Sequence, residues 1–334
     1  MIARLIAATP RRALVLLALL LGALIAAPLV LDRYLVSVLI LVLWFAYVGQ
    51  AWNVMMGFAG LLSLGHALYV GLGAYITAGL FVRLGIGPLA GLPVAMAAAV
   101  AVGGAIGWLG FRFRIEGVYF ALLTIAFAEV TRIAFDHLAW TGGAAGLFLP
   151  VSAEASGAWW NLRGGPLLFY YLALGLASGA FLLCAILRHS PLGYRWLAVR
   201  EDAEAARALG IDVFRARMAA VTISAALTSI GGVFYAFYYN NLFPGQTFDI
   251  SRSIEMILGP IVGGLGTLFG PILGAFILTP LGEGLIALTE KAGINAPGAK
   301  AVFYGACLMA IVTLAPNGLW PALKKRLGIA EEEA

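Results

Sequence analysis

The sequence predicts an all-α polytopic membrane protein, and three observations carry that prediction. Hydrophobic residues make up 62% of the 334 and charged residues only 11%, with a mean hydropathy of +0.97, far from the balance of a soluble domain. The charge-free stretches are long: Tyr34 to Val82 is 49 residues without Asp, Glu, Lys or Arg. As helix at ~1.5 Å per residue that stretch would measure about 73 Å, more than twice a hydrocarbon core, so it must cross twice with a turn enclosed by protein. Third, the basic residues sit in short loops at the ends of apolar runs, the pattern of the positive-inside rule.

Along the chain, Arg4, Arg11 and Arg12 precede an apolar run from Ala13 to Leu31. That run is long enough to span and lacks a small-x-small cleavage site after a short core, so it reads as a retained first span rather than a signal peptide. After the 34–82 stretch come charge-free runs at 84–111, 164–187, 218–248, 256–282 and 301–323, with 116–138 apolar but interrupted. Dividing the long runs at their Gly/Pro breaks gives about ten membrane segments, with eight or nine also allowed. All belong to a single transmembrane domain over 1–334, with a charged loop at 188–217 inside it.

With the N-terminus inside, loops 1–12, 111–115, 188–217 and 316–334 hold three, two, six and three basic residues, fourteen in all. The opposite side receives six: Arg33, Arg83, Arg163, Arg252, Lys291 and Lys300. That excess places both termini in the cytoplasm. Trp140, Trp159 and Trp160 in the long outer loop suit an interfacial belt, and Glu331-Glu332-Glu333 reads as a solvated tail. A net charge of +5 spread over loops does not make the basic stripe that nucleic acid requires. Cys184 and Cys307 lie in apolar runs and read as buried free thiols.

Segment 256–282 carries seven glycines and three prolines, which argues against a straight helix. Two short helices meeting within the membrane are expected, with Gly263, Gly264 and Gly266 near a pathway or subunit interface. Close packing through Gly266, Gly270 and Gly274 is the competing reading. Asn53, Gly57, Gly60, Ser63, Gly65 and His66 bring small and polar residues into a charge-free region. Polar groups there face a partner or a cavity. His66 has no companion at ligand spacing, so no metal site is expected. Its role is hydrogen-bonded packing or a substrate contact.

Glu129, Arg132 and Asp136 fall on one helical face and can pair in sequence, as a structural ion cluster or a proton relay. Glu116 follows Arg112 and Arg114 at the inner boundary and reads as an interfacial salt bridge. Within 188–217, Ser190-Pro191 suits the start of one short helix, and Asp202 caps another ending at Leu209 and Gly210. Trp196, Val199, Ala203, Ala206 and Leu209 share one face, which suits the groove of a soluble partner. None of the four lysines follows a glycine, so no phosphate loop and no ATPase reside in this chain, and neither a His-Glu-x-x-His motif nor a nucleophile elbow occurs.

Glu204-Ala205-Ala206 with Gly210 resembles the EAA signature of ABC-importer permeases. Asn53 through Tyr75, Glu116-Gly117-Val118-Tyr119-Phe120-Ala121, and Thr141-Gly142-Gly143 with Gly146-Leu147 are similar to the M-type permease subunit of high-affinity branched-chain amino acid importers. So are Ser190-Pro191-x-Gly193, Ala208-Leu209-Gly210-Ile211, Ser253-Ile254-Glu255-Met256, Gly263-Gly264-x-Gly266-Thr267-x-x-Gly270-Pro271 and Pro316-Asn317-Gly318-Leu319. The resemblance implies a type II-like permease that pairs with a homologous H-type permease in a bacterial inner membrane. Its other partners would be two cytoplasmic ATPases, which bind ATP and Mg, and an external solute-binding protein. This chain would hold no cofactor. Glu201, Asp202, Glu204, Ala205, Ala206 and Gly210 would form the ATPase-coupling unit, and Glu255 would join the pathway or packing residues. Leucine, isoleucine and valine are the implied substrates, with urea, amides or other small acids as alternatives. A stand-alone ion-coupled transporter using Glu129, Arg132 and Asp136 remains the other reading.

Overall fold

The computed structural model describes residues 11–150, 161–293 and 298–326. Trp159, Trp160, the Glu331–Glu333 run and the first ten residues lie outside them. The described chain is almost entirely helical. Helix α1 spans Arg11–Val30 and α2 spans Arg33–Asn53, continued by a π-helical turn at Val54–Phe58. Then come α3 (Ala67–Leu84), α4 (Pro88–Arg112), α5 (Val118–His137), a two-residue strand β1 (Leu147–Phe148) and α6 (Pro166–Arg188). The charged loop forms α7 (Pro191–Glu201) and α8 (Ala203–Ala208), and α9 (Val213–Tyr239) returns through the bundle. After β2 (Asn241–Leu242), the chain closes with α10 (Pro244–Thr247), α11 (Ile250–Gly263), α12 (Gly270–Lys291), α13 (Ala299–Leu314) and α14 (Leu319–Arg326).

Seven of these helices are long and apolar enough to cross a bilayer: α2 with its π-turn, α3, α4, α5, α6, α9 and α12. The sequence expectation of about ten also counts the shorter apolar helices Leu17–Val30 and Ala299–Ile311 and the 14-residue α11. At ~1.5 Å per residue α11 is about 21 Å long, short of a hydrocarbon core.

The core is built on α2, α3 and α9, whose apolar windows are mostly buried. Trp52, Tyr69, Tyr75 and Phe237 are wholly enclosed there. Small residues let α3 and α9 approach closely. A Cβ on Gly73 would lie 2.0 Å from the Ser229 carbonyl oxygen, and one on Gly232 would lie 2.0 Å from that of Val70.

The long helices collect the loops at two ends. At one end Arg83 Nε donates to the Trp140 carbonyl at 3.3 Å, and β1 pairs antiparallel with β2, Leu147 opposite Leu242. Arg163, buried there between the rings of Phe81 and Phe237, bonds Asn240. Burial pushes its guanidinium pKa down. At the other end lie Gly60, where a Cβ would meet Arg200 Cγ at 3.1 Å, the α4–α5 turn, the 188–217 loop, the 264–269 turn and the chain around Gly318, while Leu64 to His66 turn inward against Thr124 and Ser224. Three of the basic loops assigned to the inner side therefore share one end of the bundle.

Candidate functional site

Local signals build the charged loop. Ser190 Oγ accepts from Gly193 N at 3.2 Å, with Pro191 in the first turn of α7. One carboxylate oxygen of Asp202 accepts from Glu204 N at 2.8 Å and Ala205 N at 3.0 Å, satisfying amides that the first turn of α8 leaves free. Gly210 ends the unit with φ +81°, a conformation glycine adopts without a Cβ penalty. The expected two capped helices are present.

Their apolar face is not available to a partner, however, which corrects the expectation of insertion into a groove. Trp196, Val199 and Ala206 are buried within this chain, and Trp196 Nε1 donates to the Ala216 carbonyl on α9 at 2.8 Å. A Trp wholly enclosed with its N–H satisfied is a rigid anchor. Leu209 departs from the buried face because it follows the last turn of α8, and it is 81% exposed. The outward surface is instead polar: Glu201, Asp202, Glu204, Ala205, Arg207 and Gly210 are exposed, with Leu209 at the tip.

Beneath that surface the loop is tied to a break in the bundle. Arg200, on α7, donates from Nη1 to the Gly57 carbonyl in the π-turn. A π-turn widens the helix and frees carbonyls from the ordinary ladder, so an outside donor can reach one. A Cβ on Gly266 would come within 2.6 Å of Arg200 Nη1, so the guanidinium also abuts the 264–269 turn. Arg188 reaches the same turn, donating to the Gly266 carbonyl at 3.2 Å.

From α2, Asn53 holds both sides of that turn. Its Nδ2 donates to the Thr267 carbonyl at 2.9 Å, and its Oδ1 accepts from Gly266 N at 3.0 Å. Gln50 Nε2 donates to the Leu268 carbonyl at 2.6 Å. These side chains supply the backbone satisfaction that a broken segment needs away from water. The break itself occurs as expected between 263 and 270, with Gly264 at φ +128° and Gly266 at φ +72°. Only its first helix is short: α12 runs 22 residues through Pro280. Pro280 lacks a donor, yet the helix continues past it.

The glycines serve close packing, because α11 and α12 approach one another across the turn. A Cβ on Gly263 would meet the Gly270 carbonyl oxygen at 1.7 Å, and one on Gly274 that of Gly259 at 1.9 Å. Gly318 seals the turn from outside, where a Cβ would lie 2.4 Å from Gly264 Cα.

His66 is buried and hydrogen-bonded. Its Nε2 lies 2.9 Å from Ser224 Oγ and its Nδ1 3.1 Å from Ser63 Oγ. Ser224 donates its one hydroxyl hydrogen to the Ala51 carbonyl at 2.7 Å. Nε2 must therefore carry a ring hydrogen; because the ring is enclosed with no carboxylate partner among the described residues, it is neutral, and Nδ1 accepts from Ser63. Glu116, in the α4–α5 turn, pairs with Arg217 on α9 rather than with Arg112 or Arg114. Arg132 joins Glu129 at 2.6 Å and Asp136 at 2.7 Å, as the i, i+3 and i, i+4 spacing predicted.

Glu255 stands apart from the break, at the opposite end of α11. It binds Arg252 at 3.1 Å and Lys300 at 3.4 Å, and Lys300 also binds Glu283 at 3.1 Å. This quartet joins α11, α12 and α13. Lys300 and Glu283 carried no sequence signal as partners, since 17 residues separate them across two helices. Arg200 was also missed, because a basic residue in a basic loop reads as a solvated charge. Cys184 is buried and free, whereas the free Cys307 is only half-buried.

No solved structure matches this chain. It is 30% identical to the high-affinity branched-chain amino acid transport system permease protein LivM of Escherichia coli K12, over 96% of this chain and 77% of the relative. A probable LivM of Methanocaldococcus jannaschii is 24% identical over 84% of this chain and 92% of the relative. The autoinducer 2 import system permease protein LsrC of Klebsiella pneumoniae is 34% identical, over 47% of this chain and 46% of the relative. The family model for the permease component of branched-chain amino acid transport systems matches residues 34–312, and the chain belongs to that family.

Proposed function

We propose that this chain is one of two permease subunits of an ATP-driven ABC importer of type II-like architecture. It forms with an H-type homologue the path for leucine, isoleucine and valine delivered by an external binding protein. The observation that carries this reading is the linkage of an exposed acidic cap, Glu201 to Gly210, through Arg200 to the π-turn and the 264–269 turn. An ATPase seated on the cap would move α7, and α7 cannot move without pulling on the backbone of α2 and the break before α12. Energy released outside this chain thereby reaches the membrane segments.

In this scheme the loop end of the bundle faces the cytoplasm, where the two ATPases bind ATP and Mg, and this subunit carries no cofactor and catalyses no reaction. The likeness to branched-chain amino acid permeases over nearly the whole chain supports the substrate class. The LsrC likeness covers about half of it.

The test is reconstitution of both permeases and both ATPases in proteoliposomes, with the binding protein and leucine outside and ATP inside. Leucine accumulation that requires ATP and every component is expected. Gradient-driven uptake by this polypeptide alone would overturn the reading in favour of a secondary transporter.

A further inference from the structure

Helix α5 turns an unusual face away from the protein. Its inward side is committed: Phe120, Ala121, Thr124 and Ala128 are buried, and Thr124 Oγ1 accepts from Leu64 N at 3.1 Å and Gly65 N at 3.2 Å. The opposite side, at spacings of three and four, exposes Leu122, Ala126, Glu129, Val130 and Ile133. Most of that stripe is what a lipid-facing helix shows. Glu129 is not, since its side chain is 52% exposed.

Depth makes the exposure informative. Glu129 lies 11 residues from Val118 and 8 from His137, or about 16 Å and 12 Å from the two ends of α5 at ~1.5 Å per residue. Snorkelling does not bring so short a side chain to the headgroups. Pairing with Arg132 compensates part of the charge, but the triad Glu129–Arg132–Asp136 keeps a net negative charge and open carboxylate surface. Such a face is stable against water or a polar ligand, not against lipid.

We propose that this face of α5 lines the water-filled translocation path. Glu129 and Arg132 would receive the ammonium and carboxylate of a zwitterionic amino acid, while Leu122, Ala126, Val130 and Ile133 provide the track for its aliphatic side chain. A mixed lining of this kind suits a neutral zwitterion with an apolar tail: each charged end meets an opposite charge and the tail meets apolar surface. The inference rests on the importer reading for the second wall of the path, which the companion permease supplies.

The test uses the assembled importer, with Cys184→Ala and Cys307→Ser as background, and single cysteines introduced by Ala126→Cys and Val130→Cys. Ser178→Cys is the control, at an exposed position within the charge-free span of α6. A charged, membrane-impermeant thiol reagent is expected to modify the two α5 positions and not position 178, and saturating leucine should slow that modification. Glu129→Gln should raise the leucine KM by roughly tenfold, the loss of one charge-assisted hydrogen bond. Silent α5 cysteines in an importer that still accumulates leucine with ATP would overturn the proposal and leave the importer reading intact. Modification at all three positions without leucine protection would overturn it as well. Because thiol modification needs no ATP, failure of ATP-driven uptake would count against the importer reading by itself.

Discussion

The guanidinium of Arg200 bonds the carbonyl of Gly57, joining residues 143 apart in sequence. One belongs to a polar loop that a partner could grasp, and the other to a π-turn at the end of the most buried helix. A charge-assisted bond to backbone connects the two directly. It is also directional, because the carbonyl belongs to the main chain and moves only with the helix.

Arg200→Ala should therefore separate energy release from transport. ATPase association and surface level are expected to persist, since Trp196 and the caps hold the loop, while ATP-driven leucine uptake falls about tenfold or more. The lost interaction is of the order of 2 kcal/mol. Uptake and ATPase turnover are measured on the same vesicles, and an unchanged ratio would sink the coupling role of Arg200.

Gly57→Ala tests the same junction through shape. Its Cβ would lie 1.9 Å from Asn53 Oδ1 and 2.7 Å from Gly266 N, so Asn53 must release the turn. Thermal unfolding in detergent should drop by several degrees, and Asn53→Ala, which deletes both bonds without a clash, should cost about 2 kcal/mol. Wild-type unfolding in both variants would contradict the clamp.

Loss of the Asp202 cap is expected to be local. Asp202→Ala should fray α8 at a cost of about 1 kcal/mol and weaken retention of the ATPase subunits, whereas Asp202→Asn or Asp202→Ser keeps a capping acceptor. The measurement is co-purification of the ATPases. Equal retention in Ala and Asn variants would show that the cap has no part in docking.

His66 should be a neutral ring with its hydrogen on Nε2. Nitrogen chemical shifts of labelled histidine in the purified protein distinguish the two tautomers, and an Nδ1–H signal would refute the network. Ser224→Ala leaves the Nε2–H without its acceptor in a buried site and is expected to cost about 1–3 kcal/mol, more than Ser63→Ala, where only an acceptor is left over.

Much of the loop was legible in residue order. Ser190-Pro191, Asp202 and Gly210 are local devices whose geometry depends on neighbours within four residues, and all three act as the sequence predicts. The ion stripe on α5 was legible for the same reason, because helical period alone brings Glu129, Arg132 and Asp136 together. The Glu116 partner was not, since Arg217 is brought to it by the α4–α9 arrangement rather than by spacing.

Apolar run length, glycine and proline content and loop charge by themselves determined a predominantly helical membrane chain, a break near Gly264 and a folded polar loop between spans. Each follows from chain-local physics: the oil-to-water balance, the missing donor of proline and the backbone freedom of glycine. Tertiary structure alone decided that Trp196 and Ala206 face inward, that Arg200 reaches Gly57, and that Asn53 holds the 264–269 turn. Those contacts join backbone groups left unpaired by one helix break to side chains far away in sequence, and only packing in three dimensions brings such donors and acceptors within reach.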